Sequence, residues 1–136
     1  IDQHIEENLK MQISKIFINK GEKFFREYEE KLTLDILKKK NIVISLGGGA
    51  FLNKNIRKEI LNYHSSYWLN LDTETIINRI KKSSKRPLAF NLTTQELVKL
   101  IKKRSHTYAK ALYKIDCKDL TKTEIVKKIL DIYEAN

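Results

Sequence analysis

The chain has 136 residues, 41% hydrophobic and 32% charged, with a formal net charge of +10. That length suits one domain able to bury roughly two-thirds of its unfolded surface, and the composition excludes a disordered polymer. No apolar run approaches the ~20 residues that span a bilayer, no signal peptide opens the chain, and the lone Cys117 excludes a disulfide framework or a cysteine-rich zinc site, so a reducing cytoplasm is the expected compartment.

Ile5, Leu9, Ile13, Ile16 and Phe17 predict a helix over 4–18. After Gly21, the spacing of Phe25, Tyr28, Leu32 and Ile36 predicts a second helix to about Lys39. The run Ile42-Val43-Ile44-Ser45-Leu46 then reads as a short buried strand ending in the tight turn Gly47-Gly48-Gly49. Residues 53–63 form a helix on Ile56, Ile60 and Leu61, and Tyr67–Leu71 a second strand. Asp72 is placed to cap a helix through Ile76, Ile77 and Ile80. Residues 81–92, rich in lysine and serine and containing Arg86-Pro87, are expected to be a mobile loop. Thr93 with Glu96 predicts a capping box for a helix to about Leu112, and Thr121 with Glu124 another for a last helix through Tyr133, with a weak strand at Tyr113–Cys117 between them. Strands alternating with helices and joined by long crossovers imply an α/β fold, a parallel sheet covered by helices. Neither a repeat nor a linker divides it, so 1–136 is expected to be one domain.

Of the 27 basic residues only Arg26, Arg57, Arg79, Arg86 and Arg104 are arginines, which makes their positions informative. Guanidinium is the planar, always-charged group that a carboxylate or phosphate calls for. Arg104 falls on one helical stripe with Leu97, Ile101 and Tyr108, so it either snorkels outward or meets an anion. Arg26 and Glu29 lie three apart on a helix, as a surface ion pair or as an arginine held in aim by its carboxylate. The three glycines serve either a turn that needs positive φ or a ligand approaching the main chain at the carboxyl end of a strand. His4, His64 and His106 have no metal-ligand spacing, and no G-x-x-x-x-G-K-[ST] loop occurs.

In order along the chain, Asp2-Gln3-His4-Ile5-Glu6, Gly21-Glu22-Lys23-Phe24-Phe25-Arg26-Glu27-Tyr28-Glu29, Ser45-Leu46-Gly47-Gly48-Gly49-Ala50, Arg86-Pro87-Leu88 and Arg104-Ser105-His106-Thr107-Tyr108 resemble the motifs of the shikimate kinase family. The resemblance implies a three-layer α/β/α fold of the P-loop kinase type and ATP-dependent phosphorylation of the 3-hydroxyl of shikimate, with magnesium. It implies that Asp2 accepts a hydrogen bond from the attacking hydroxyl and acts as general base. Arg26 and Arg104 would bind the shikimate carboxylate, with Glu29 steadying the site, and the backbone of Gly47, Gly48 and Gly49 would hold ring hydroxyls. Arg86 would close over the phosphates as part of the lid, Arg79 would lie against adenine, and Ser45 would reach magnesium through water.

The family's first strand, phosphate loop and first helix have no counterpart before Asp2, so the chain is expected to be a fragment that is inactive by itself. Lys10 stands where the family often has glycine. The expected partners are shikimate and ATP, with no nucleic acid and no membrane, and the expected state is a monomer. The rival readings are another kinase of the same fold, such as a gluconate kinase, a non-catalytic relative, or a basic nucleic-acid-binding module. Dispersed lysines and aromatics on core stripes argue against the last.

Overall fold

A computed structural model describes residues 1–82 and 92–135. Helix α1 (Asp2–Leu9) stops at Lys10, which adopts the left-handed conformation at φ 49 and ψ 36 and returns its N–H to the Glu6 carbonyl. Helix α2 (Ile13–Leu37) begins at once, and the Glu6 carboxylate accepts from the Ile13 N–H at 2.9 Å. The single helix expected over 4–18 is therefore two. Ile5 from α1 and Ile16 from α2 are both fully buried and share a core with Phe25. Apolar spacing reports that these residues face one core, but it cannot report that the chain reverses between them. The boundary expected at Gly21 survives as a kink inside α2, where Gly21 takes φ 80 and ψ 167.

A left-handed residue other than glycine costs about 1 kcal/mol, and Lys10 is exposed. Lys10→Gly is expected to stabilise the fold by that order, raising Tm by a few degrees in thermal unfolding. A lower Tm would refute it.

A second core joins Leu37 of α2 to Ala50 and Phe51 of a 3-10 turn (Ala50–Leu52) and to Ile56 and Ile60 of α3 (Lys54–Tyr63). Ile44 and Leu46 pack against it, whereas Val43 is wholly exposed. The strand expected at Ile42–Leu46 does not form. Its alternation of inward and outward side chains is that of a strand. A ladder also needs a partner, and among the described residues none lies alongside. The ladder that does form pairs β1 (Tyr67–Asn70) with β2 (Tyr113–Asp116) in parallel, Tyr67 opposite Tyr113 and Asn70 opposite Asp116. The two tyrosine rings stack at 5.2 Å, and the Asn70 amide donates to Asp116 at 2.6 Å.

The crossover between them carries α4 (Thr73–Lys81), capped by Asp72, and α5 (Thr94–Tyr108), whose Thr93–Glu96 capping box is complete. Ile77, Ile80 and Leu97 join these two helices in a third core. Helix α5 ends four residues earlier than expected. Thr121 and Glu124 form the box that opens α6 (Lys122–Glu134). Most of the expected loop at 81–92, with Arg86 and its lid role, lies outside the described residues. Among the described residues no helix is long and apolar enough to cross a membrane.

Candidate functional site

Three helices meet at the glycine run, in the chain between α2 and the 3-10 turn. Gly21 is the only glycine with positive φ, and Gly49 sits at φ −111, so the run does not serve a left-handed turn. Its function is close approach. A methyl group on Gly47 would lie 2.9 Å from Asp2 Oδ1. One on Gly48 would lie 3.6 Å from Arg104 Nη1 and 3.7 Å from the Tyr108 hydroxyl, and one on Gly49 only 2.7 Å from Arg26 Cζ. Successive glycines thus receive a carboxylate from α1, a guanidinium from α5 and a guanidinium from α2. The Gly48 and Gly49 N–H groups donate to no backbone carbonyl among the described residues.

Arg26 is fixed from below. Its Nη1 donates to Glu29 Oε2 at 2.6 Å, its Nε reaches Glu22 at 3.5 Å, and its guanidinium lies 5.1 Å from the Phe25 ring centre. Glu29 is only 2% exposed. Burial pushes its carboxyl above the ordinary value, the pull of Arg26 offsets only part of this, and the charge of Asp2 adds to the rise. The Glu29 carboxylate that Arg26 pairs with is therefore buried, not part of an exposed surface ion pair.

Arg104 is half-buried, and its Nε is buried with no acceptor among the described residues. It is not fully exposed, and among the described residues it meets no protein carboxylate. Leaving such a donor unmatched costs about 1–3 kcal/mol or more when it is charged, which a planar oxyanion presented at the glycine run would relieve.

Three further residues shape the site without having been assigned a role from the sequence alone. Tyr108, one turn beyond Arg104, donates from its hydroxyl to the Gly48 carbonyl. Glu30 accepts from the side-chain amides of Asn53 and Asn55, both at 2.6 Å, which ties α2 to the start of α3; these bonds, Asn55 first, hold its carboxyl below the ordinary value. Arg57 donates to the carbonyls of Phe51 and Leu52 at 2.9 Å and so fixes the 3-10 turn that follows the glycines. For Tyr108 alone the i, i+4 spacing from Arg104 offered a hint.

The remaining expected site residues stand apart or alone. Arg79 is exposed in the last turn of α4, and its charge acts on Cys117 just beyond β2. Ser45 is exposed beside the run, its carbonyl accepting from the Ile1 amino group at 3.2 Å. Among the described residues no three carboxylate, imidazole or thiol groups gather as a metal site.

The shikimate kinase family model matches residues 1–134. A shikimate kinase of Bartonella henselae is 38% identical over 111 residues, covering 81% of this chain but 53% of its own length, so the chain spans about half of that relative. One from Thermodesulfovibrio yellowstonii is 36% identical over 135 residues, 98% of this chain and 78% of its own. Among solved structures, the Acinetobacter baumannii shikimate kinase in complex with shikimate superposes with a TM-score of 0.91 at 27% identity, covering 99% of this chain and 76% of that one. Its α/β architecture with a parallel sheet is that of the P-loop kinase type. With a family match running nearly end to end and relatives above 30% identity, this chain belongs to the shikimate kinase family.

Proposed function

We propose that the protein carrying this chain phosphorylates the 3-hydroxyl of shikimate with ATP. The observation that carries this reading is the pair of guanidiniums, Arg26 from α2 and Arg104 from α5, set against neighbouring glycines with one Arg104 nitrogen left without an acceptor among the described residues. Two cationic forks converging on exposed main chain suit one small organic acid. The acid's carboxylate binds Arg104 and Arg26, with Glu29 keeping the second in aim, and the backbone of Gly47, Gly48 and Gly49 holds the ring hydroxyls. Asp2 accepts the proton of the attacking hydroxyl as its oxygen bonds to the γ-phosphorus and the bond to ADP breaks. Arg86 neutralises the transferring phosphoryl group, and Arg79 packs against adenine.

Magnesium, when bound, screens the phosphate charges. The lone hydroxyl of Ser45 fits no more than a contact through water, and with no protein ligand cluster among the described residues the ion would rest chiefly on the nucleotide. The enzyme is proposed to act as a cytoplasmic monomer on small molecules, without nucleic acid or membrane.

The test is ADP release by the full-length protein given ATP with shikimate or with gluconate, and 31P NMR of the product. Shikimate-dependent release with a new phosphate ester at the 3-position is expected. Turnover of gluconate alone, or salt-sensitive nucleic-acid binding without turnover, would sink the reading.

A further inference from the structure

The glycine floor has a side-chain anchor of its own. Tyr108 lies one helical turn after Arg104 on α5, and its hydroxyl donates to the Gly48 carbonyl across 60 residues of chain. Its ring is backed by Trp68 of β1, with centroids 6.2 Å apart. The Tyr108 hydroxyl and Arg104 Nη1 both face the Gly48 Cα, at 3.7 and 3.6 Å from where a methyl group would stand. We infer that Tyr108 is a positioning residue that sets the glycine backbone at its working distance from the Arg104 fork and so determines affinity for the acid substrate.

The physical reason lies in the peptide plane. All described peptide bonds are trans, so the Gly48 carbonyl and the Gly49 N–H point in opposite directions. Drawing the carbonyl to Tyr108 turns the Gly49 N–H to the other side, and Gly49 is the residue whose Cα faces Arg26. A run of three glycines has no side chains to hold its own orientation and is intrinsically free in φ and ψ. The Ala50 N–H closes the run as a turn by donating to the Gly47 carbonyl at 3.2 Å, and the Tyr108 bond adds a side-chain hold on the peptide plane between Gly48 and Gly49, from the same helix that carries Arg104. The neighbouring brace, Glu30 with Asn53 and Asn55, secures the segment after the glycines but touches none of them.

This inference rests on the proposed shikimate site, and the test separates the two. In the full-length protein, Tyr108→Phe keeps the ring against Trp68 and removes only the hydroxyl. The KM for shikimate is expected to rise about tenfold, the loss of one hydrogen bond, with the KM for ATP and kcat within about twofold of wild type and Tm nearly unchanged. Wild-type protein without shikimate-dependent turnover would instead mean that the underlying site is misread. Given an active wild type, an unaltered shikimate KM overturns the role of Tyr108. A variant that does not fold, or in which both KM values rise together, makes the hydroxyl a general stability element and overturns it equally.

Discussion

Replacing Arg104 by lysine is expected to raise the KM for shikimate by about 10- to 100-fold while leaving the KM for ATP near wild type. Lysine keeps the charge on a stem of similar length but presents a compact ammonium in place of a planar fork. A charge-assisted hydrogen bond of the kind lost contributes about 1.5–3 kcal/mol, which corresponds to that range. The specificity of the effect follows from location. Arg104 lies against Gly48 on the face of α5 that also carries Tyr108, whereas Arg79, proposed for adenine, sits in the last turn of α4. Because its Nε has no protein partner among the described residues, no internal ion pair is broken by the change. Tm should therefore move little, or rise if the unmatched donor costs stability in the free protein. Steady-state kinetics with each substrate varied separately gives the answer. Equal rises in both KM values would remove the carboxylate assignment.

Local rules made much of the fold legible. Both capping boxes, at Thr93 and Thr121, and the Asp72 cap form as their spacing predicts, because they are satisfied within one turn of chain. The parallel pairing of β1 and β2 followed from the long helical crossover between them. What failed depended on partners that local pattern does not contain. Ile42–Leu46 has strand-like alternation but no ladder among the described residues, and the chain reversal at Lys10 uses a lysine where glycine would have announced it. At the site, the scarcity of arginine and the clustering of glycine were visible in the sequence, and Arg26 and Arg104 do meet the same glycine run. The stripe on α5 showed Arg104 to be unusual without saying what it faced. The bond from Tyr108 to Gly48 was hidden because a tyrosine on an apolar stripe satisfies packing without any need for its hydroxyl. Glu30 was hidden among other charged residues on α2, since its two amide partners lie 23 and 25 positions away.

Asp2→Asn should lower kcat by about 10²- to 10⁴-fold, the range supplied by a positioned general base, with at most a severalfold change in either KM. The substitution is nearly isosteric. Asparagine can still present an oxygen to the substrate hydroxyl and can still sit against Gly47, whose methyl position lies 2.9 Å from Asp2 Oδ1. It cannot take up the proton that leaves as the new oxygen–phosphorus bond forms. Geometry also favours the carboxylate over its amide at this place. Asp2 is in the first turn of α1, where the unpaired N–H groups of the helix end favour a negative charge, and it faces a region that already holds two guanidiniums. The buried Glu29 feels the charge of Asp2, so the same substitution should ease the upward pressure on the Glu29 carboxyl and draw its ionisation back toward the ordinary value. Two readouts thus move in the full-length protein, turnover and the titration of a second carboxyl. A variant whose kcat stays within about threefold of wild type would show that Asp2 holds the hydroxyl in place without accepting its proton.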